Sequence, residues 1–325
     1  MHPAFSVIFL TTLIGAAQGL FLALFVTQWF ATVGLIAPQD SVQFYAMGNV
    51  VVLVLLGLGL FASFFHLGRP ERAWRSATRW RTSWLSREVI VLPALMGFSF
   101  IHGAMHLLGW DAVLWTTAGG VSFTLSLLVG ALGALTALAL FISTGMIYAC
   151  IKFLQEWASP LTVVNFTVLG IASGFTLATA FAAAVSPELV HPFGISAIAF
   201  TALGLVTRVA ALIRNKRLKH KSSLQTAIGV RHTHIQQKAQ GAMGGSFNTR
   251  EFFHGKSDAV VKTVLWTFLL LTFPVPMLLV WIGMTAEAFG VLALAFAVQY
   301  LGLVCERWFF FAQANHPQNL YYQTI

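Results

Sequence analysis

Eight long apolar runs constrain the fold of this chain more than any other feature of its sequence. A helix rises about 1.5 Å per residue, so runs of about 20–26 residues can cross a hydrocarbon core of roughly 30 Å. A backbone in lipid must satisfy its own hydrogen bonds, which leaves helices or closed barrels. Continuous apolar runs exclude a barrel, whose strands alternate over about ten residues. We predict an all-α integral membrane protein with helices near residues 5–30, 42–65, 88–108, 119–143, 160–184, 193–213, 261–283 and 288–311.

The composition agrees with a membrane protein and excludes several other classes. Of the 325 residues, 58% are hydrophobic and only 9% are charged, whereas soluble proteins carry about 25% charged residues. Cys150 and Cys305 are too few for a disulfide framework or an iron–sulfur cluster, which needs about four thiolates. The first apolar run lacks the basic start and the cleavage site of a signal peptide, so we predict that it remains as a helix.

The positive charges lie on one side of the predicted membrane domain. All 19 lysines and arginines fall in the connections 67–87, 148–159 and 214–260, or at helix ends on the same side. The positive-inside rule makes this side cytoplasmic, and an even number of spans then places both termini there. We therefore predict one membrane domain over residues 1–325 with a basic cytoplasmic loop at 214–260.

The connection between the second and third helices interleaves arginine with tryptophan, which orientation alone does not require. Arginine and tryptophan contribute most to protein interfaces. We predict a docking surface for a soluble partner, formed by Trp74, Arg75, Arg79, Trp80 and Arg81. For the basic loop 214–260, contact with anionic lipid and docking of a partner both stay open. Nucleic acid is not an expected partner, because the charges all lie beside the membrane.

Polar residues gather where the second helix ends and the third begins. His66 ends the second predicted helix, Glu88 starts the third, and Arg69 and Arg72 lie between them. Such a set can bind and protonate a carbonyl-bearing headgroup between helices. We expect Gly68 to allow a close backbone approach, and the proline two residues later to stop the helix. The alternative for Glu88 is a simple charge at a helix N-terminus.

Histidines elsewhere in the chain do not form a recognisable metal site. His102 and His106 are four residues apart and share one face of the third helix. A transmembrane haem usually takes one histidine from each of two helices, and no other span has a matching pair, so we expect a packing or hydrogen-bonding pair and no haem. A metal site needs three or four ligands. We expect solvated side chains for the loop histidines His220, His232, His234 and His254.

Two alternatives from other functional classes depend on the remaining polar and helix-breaking residues. A secondary transporter would be expected to have inverted repeats and broken helices; Pro274 and Pro276 mark a break in the seventh run, without a counterpart in another half. A haem b quinol oxidase subunit is the second alternative. Glu306 and Arg307 point about 100° apart on the last helix, so we expect them to pair with other helices rather than with each other.

Three segments of the chain together resemble a known family. F-H-L-G-R-P-E-R-A-W (65–74), L-S-R-E (85–88) and E-R-x-x-F (306–310) are similar to the DmsC family, the membrane anchors of dimethyl sulfoxide reductase-type enzymes, which are related to NrfD-like anchors. The resemblance covers nearly the whole chain. M-H-P-A-F-S at the start and A-N-H-P-Q-N (314–319) look more like SoeC-like anchors of cytoplasmic sulfite-oxidising enzymes. The 214–260 loop and the H-P-Q-N-L-Y-Y tail depart from the enteric type.

The resemblance implies an anchor that passes electrons between a partner's iron–sulfur cluster and a quinone, either ubiquinone or menaquinone. Family members hold an iron–sulfur subunit and a molybdopterin catalytic subunit, lack haem and lie in the bacterial inner membrane. The chain would then carry the quinone half-reaction and no catalytic metal. Electrons run to quinone in sulfite oxidation and from quinol in a dimethyl sulfoxide-type reductase. We favour sulfite oxidation, because the outer loops offer no docking surface.

The resemblance also implies which residues form the quinone site. The family motif positions match His66, Gly68, Arg72 and Glu88, and Arg69 lies within the same motif. His66 would donate a hydrogen bond to a quinone carbonyl, and its ordinary pKa near 6.5 suits proton exchange. Glu88 would relay that proton to water, and Arg72 would stabilise an anionic reduced form or pair with Glu88.

Overall fold

The computed structural model describes residues 3–219, 223–236 and 257–314. Within these residues, eight helical segments are long and apolar enough to span a membrane, which confirms the predicted all-α membrane architecture. The main helices are α1 (Pro3–Thr32), α2 (Met47–Phe64), α3 (Trp84–Leu108), α4 (Leu125–Ala149), α5 (Pro160–Val185), α6 (Val190–Lys216), the short α7 (Leu224–Ile228), α8 (Asp258–Thr272), α9 (Pro274–Thr285) and α10 (Phe289–Ala312). A π-helical turn (Ser41–Ala46) leads into α2, and a 3-10 turn (Pro187–Leu189) leads into α6.

Helix α1 lies at the centre of the bundle and packs against α2, α4, α5 and α10. Its closest approach is to α5. A Cβ atom added at Gly19 would overlap the Gly170 carbonyl oxygen and the Gly174 Cα atom. Small residues at a membrane helix crossing let the two backbones approach closely, so glycine is required at this contact.

Contacts between distant connections define the two ends of the bundle. At one end, which we call the basic side, the Trp157 indole donates to the Phe310 carbonyl (2.9 Å) and Arg214 donates to the Gln155 carbonyl (3.0 Å). At the opposite side, Gln28 donates to Ser126 (2.8 Å). The connections 65–83 and 150–159 both lie on the basic side, so their arginines and lysine share one end of the molecule.

The fourth helix begins at Leu125 rather than near residue 119, because the preceding segment forms a β-hairpin. Strands β1 (Val113–Thr116) and β2 (Ser122–Thr124) pair antiparallel. Gly120 has a φ of 82°, which favours glycine, and lies in the turn between the strands. The Thr124 hydroxyl then accepts from the Leu127 amide (3.4 Å) and caps α4. The opposite side therefore carries a longer connection than the apolar run suggested.

The seventh span is broken into α8 and α9 at Phe273. Pro274 and Pro276 lack the amide hydrogens that a continuous helix requires. The Gln299 amide donates to the Thr272 carbonyl (3.4 Å), which Pro276 leaves without its usual helical partner. The two halves pack differently: α9 packs against α6 and α10, whereas α8 packs chiefly against α10.

A buried ion cluster joins α6 to α10. The Glu306 carboxylate lies 2.6 Å from Arg208 Nε and 2.8 Å from Arg307 Nη1. The Arg307 guanidinium also lies over the Phe166 ring, 3.6 Å from its centroid. Glu306 and Arg307 were expected to pair with other helices rather than with each other. That prediction was wrong in part, because a long arginine side chain bridges the angle between adjacent helical positions.

Candidate functional site

A cleft of about 480 Å³ opens on the basic side, between α1, the end of α2 and the start of α3. Its walls are mainly apolar, and its polar lining includes four of the five residues predicted for the quinone site. The apolar lining includes Leu10, Leu60, Phe64, Leu67, Leu85, Val89 and Leu92, and the polar lining includes Ser63, His66, Arg69, Arg72, Ser76 and Glu88. The structure thus brings these separate motif positions to one cavity.

The 3-10 helix Pro70–Arg79 forms one wall of the cleft. Helix α2 already ends at Phe64, so Pro70 starts this 3-10 helix instead of stopping α2, contrary to expectation. The Ser86 hydroxyl donates to the Ser76 carbonyl and attaches the segment to α3. Ser83 caps α3 by accepting from the Ser86 amide (3.3 Å). Local serine contacts therefore fold the arginine-rich segment back over the cleft.

His66 lies just after α2 and is half-buried in the cleft. Its Nδ1 atom is buried and has no hydrogen-bond partner among the described residues. Burial lowers the pKa of His66 below its usual 6.5, so the imidazole is neutral at neutral pH. A neutral imidazole offers one donor and one acceptor. His66 is thus available to hydrogen-bond a carbonyl or hydroxyl group of a ligand.

Glu88 lies in the second turn of α3, because that helix begins at Trp84 and not at Glu88. The Glu88 side chain is only 8% exposed, and the Thr144 hydroxyl donates to its carboxylate (2.5 Å). This geometry argues against a simple charge in the first helical turn. The burial of Glu88 also contradicts the expectation that this side chain passes protons directly to water. Thr144 was not predicted as a site residue, since only packing of α4 on α3 brings it there.

The remaining predicted site residues lie at the mouth of the cleft. Arg69 and Arg72 line it and are exposed. Arg72 Nε lies 3.8 Å from Glu71, an exposed ion pair, so the suggested pairing of Arg72 with Glu88 is replaced by a local partner. Gly68 is exposed and does not line the cleft, and a Cβ atom there would have no other atom within 4 Å. The expected close backbone approach at Gly68 is therefore not found.

The predicted docking residues form an exposed surface beside the cleft. Two arginines lie over neighbouring tryptophans, Arg75 over Trp74 (5.6 Å) and Arg81 over Trp80 (5.3 Å). Arg79 is exposed in the same segment. Trp74 also lines the cleft, so the surface and the cleft are continuous. The geometry permits a partner bound at this surface to lie next to a ligand in the cleft.

His102 and His106 belong to a buried hydrogen-bond network near the opposite side. Gln28 accepts from His102 Nε2 (2.9 Å) and donates to His106 Nε2 (3.3 Å). Asn49 donates to His102 Nδ1 (2.9 Å), and His106 Nδ1 donates to Ser41 (2.7 Å). Each ring thus has one donor and one acceptor in use. The expected hydrogen-bonding pair is confirmed, and its four ring nitrogens are all occupied by protein partners.

The described residues contain no group of three or more histidine, cysteine, aspartate or glutamate side chains placed to hold a metal ion. His232 and His234 are exposed, and the His232 ring contacts the backbone of His234. His220 and His254 lie outside the described residues, as does the tail at 316–322.

Comparison with known proteins agrees with the resemblance inferred from the motifs. The family model described as DMSO reductase anchor subunit (DmsC) matches residues 1–313. The chain is also 55% identical over 325 residues to a sulfite dehydrogenase subunit of Allochromatium vinosum, covering all of both chains. The chain belongs to the DMSO reductase anchor subunit (DmsC) family.

Proposed function

We propose that this chain is the quinone-binding anchor of a sulfite-oxidising complex in the bacterial inner membrane. The cleft carries this proposal, since one cavity combines a half-buried histidine, a buried carboxylate, two arginines and a long apolar wall. The distribution of lysine and arginine supports a cytoplasmic basic side, with both termini on that side.

The cleft suits a quinone because both combine a few polar groups with a large apolar surface. A quinone has a flat ring with two carbonyl oxygens and an apolar tail. His66 Nδ1, which lacks a protein partner among the described residues, supplies a hydrogen-bonding group for one carbonyl. Leu60, Leu85 and Leu92 supply apolar surface for the ring and the first part of the tail. Apolar pockets with a few convergent polar groups are typical of small-molecule sites.

The side chains have distinct roles toward such a ligand. Reduction of a bound quinone to a quinol would take two electrons from the partner and two protons. The neutral His66 would donate a hydrogen bond to the carbonyl and pass that proton to the reduced oxygen while its other ring nitrogen takes up a proton. Glu88 lies buried in the site, accepts a hydrogen bond from Thr144 and would exchange protons with the ligand. Arg69 and Arg72 lie at the mouth, where their permanent charge stabilises negative charge on the oxygen.

The exposed Arg/Trp surface supports docking of an iron–sulfur subunit, which in turn would hold a molybdopterin catalytic subunit. Two cation–π pairs order the exposed tryptophans of this surface, and arginine and tryptophan dominate interface energetics. Electrons would then pass from the partner's nearest cluster to the quinone beside Trp74. Sulfite as the donor is supported by the name of the Allochromatium vinosum relative, a sulfite dehydrogenase subunit.

The decisive experiment measures sulfite-dependent ubiquinone reduction in membranes with and without the chain. Loss of the activity on deletion and its return on complementation are expected. Purification of the tagged chain should also recover molybdenum and iron with it. Quinol oxidation by dimethyl sulfoxide without any sulfite activity would favour the reductase alternative. Recovery of the chain without an iron–sulfur or molybdenum subunit would refute the anchor role.

A further inference from the structure

A second cleft, of about 390 Å³, lies between α6 and α8 on the basic side, away from the first cleft. Its apolar walls are formed by Val209, Leu212, Ile213, Leu265, Leu269 and Phe309. We call this cleft the wedge. None of the residues assigned to the quinone site lines it, so it is a separate feature of the membrane domain.

The break in the seventh span explains why the wedge exists. Helix α9, which follows Phe273, packs against α6. Helix α8, which precedes Phe273, packs chiefly against α10. The two walls, α6 and α8, therefore separate toward the basic side. Phe309 of α10 lies in the wedge lining and contributes apolar surface to it. The wedge is thus a consequence of helix geometry and has the shape of a slot between two spans.

Positive charge and amide groups collect at the basic end of the wedge. Lys216 lines the wedge and is exposed at the end of α6, beside Asn215. Lys262 is exposed on α8, one turn before Leu265 and Trp266, and so lies on the same helical face as these lining residues. Trp266 is 62% exposed at the rim, as is usual for tryptophan at a membrane interface.

One acidic residue, Glu156, also lines this end of the wedge. Its side chain is buried, and it lines as well the small neighbouring cavity that contains Arg208, Glu306 and Arg307. That cavity is lined by two guanidinium groups and by the carboxylates of Glu306 and Glu156, so the formal charges around it sum to zero. The charges of Lys216 and Lys262 therefore remain as the net charge facing the wedge.

We propose that the wedge binds one anionic phospholipid, with an acyl chain between α6 and α8 and the phosphate between Lys216 and Lys262. Basic pockets between membrane helices bind anionic lipid headgroups in this way. The amide groups of Asn215 and Gln313, which also line the wedge, donate hydrogen bonds to the phosphate or glycerol oxygens. Charge complementarity distinguishes this occupant from a zwitterionic lipid or a second quinone, which carry no net charge.

The test measures lipid binding to the full-length chain in detergent by native mass spectrometry. Phosphatidylglycerol is expected to bind with a defined stoichiometry of one and phosphatidylcholine far more weakly. Replacing both lysines, Lys216→Gln with Lys262→Gln, should weaken phosphatidylglycerol binding about 30-fold, the effect of two lysines at an anionic surface. Lys152→Gln, an exposed lysine of another connection, is the matched control and should not change binding.

A third variant separates the wedge from the lysines. Leu269→Trp fills the apolar slot and should displace the phospholipid while leaving both lysines in place. Equal binding of phosphatidylcholine and phosphatidylglycerol would overturn the proposal. Ubiquinone that stays bound to the wild-type chain and is lost in Leu269→Trp would also overturn it, because the wedge would then hold a quinone. An equal loss of binding in Lys152→Gln would likewise overturn it. These outcomes do not depend on quinone turnover, so they are independent of the proposed function.

Discussion

Replacing His66 in the first cleft should impair quinone turnover much more than quinone binding. In His66→Ala the ligand loses one hydrogen bond, which contributes about 0.5–1.5 kcal/mol net. Because 1.4 kcal/mol is a factor of ten, quinone affinity should fall about two- to twelve-fold. Loss of a general acid–base group costs about 10²–10⁴-fold in rate. The Nδ1 atom has no protein partner among the described residues, so its removal breaks no internal hydrogen bond.

The assay compares kcat and KM for a soluble quinone analogue in the purified complex, with sulfite as donor. His66→Gln keeps a hydrogen-bonding side chain that does not titrate near neutral pH. It should restore KM to near wild type while kcat stays low. His191→Ala is the control, since His191 is exposed at the start of α6 on the opposite side. Iron content per complex checks that each variant is fully assembled.

Two results would refute this role of His66. If His66→Ala and His66→Gln both assemble with normal iron content and turn over at the wild-type rate, His66 is not part of the proton transfer. A proportional fall of iron content and turnover in both variants would instead identify His66 as a packing residue at the end of α2.

Three further predictions concern the same cleft and the buried ion cluster. Thr144→Val removes the hydrogen bond to the Glu88 carboxylate and should lower the stability of the chain by about 1.5–3 kcal/mol, measured by thermal melting, whereas Thr144→Ser keeps the hydroxyl and should melt near wild type. Glu88→Gln should lower turnover by about 10²–10⁴-fold at unchanged iron content. Burial lowers the pKa of His66, so the unfolded chain binds the proton first as pH falls below 6.5, and the stability of wild type relative to His66→Gln should decrease in that window; thermal melting at pH 5.5 and 7.5 measures this, and an opposite slope contradicts it. Glu306→Gln removes the carboxylate that two arginines contact and should destabilise the chain by about 3–5 kcal/mol. Arg208→Met keeps the Glu306–Arg307 ion pair and should cost less; equal melting temperatures for the two variants would argue against the cluster geometry.

Much of the architecture could be predicted from local sequence because the membrane imposes it. The apolar runs specify helices, since a lipid-exposed backbone has no other hydrogen-bond partners. The motif around His66 and the position of Glu88 mark the corner that becomes the cleft. The arginine-rich segment between them could be identified as exposed, because permanent charge excludes it from lipid. These inferences need only the residue and its neighbours in the chain.

Hydropathy predicted the starts of helices less well where a polar side chain caps the helix and so fixes its first residue. The apolar character of residues 119–124 suggested helix, yet Gly120 and Thr124 make this segment the end of a hairpin and a cap. The same reason moves the start of α3 to Trp84, after the cap at Ser83. Capping depends on backbone geometry in one or two residues, which hydropathy does not record.

The contacts that complete the site and the wedge were decided only by tertiary structure. Thr144 reaches Glu88 across 56 positions, and Glu306 reaches Arg208 across nearly a hundred, because α4 packs on α3 and α10 on its neighbours. Lipid-facing and protein-facing positions are equally apolar, so periodicity along one membrane helix does not reveal which face meets which partner. Hydropathy and charge therefore determined the spans and the basic side, and packing of small residues such as Gly19 against α5 decided which polar groups meet.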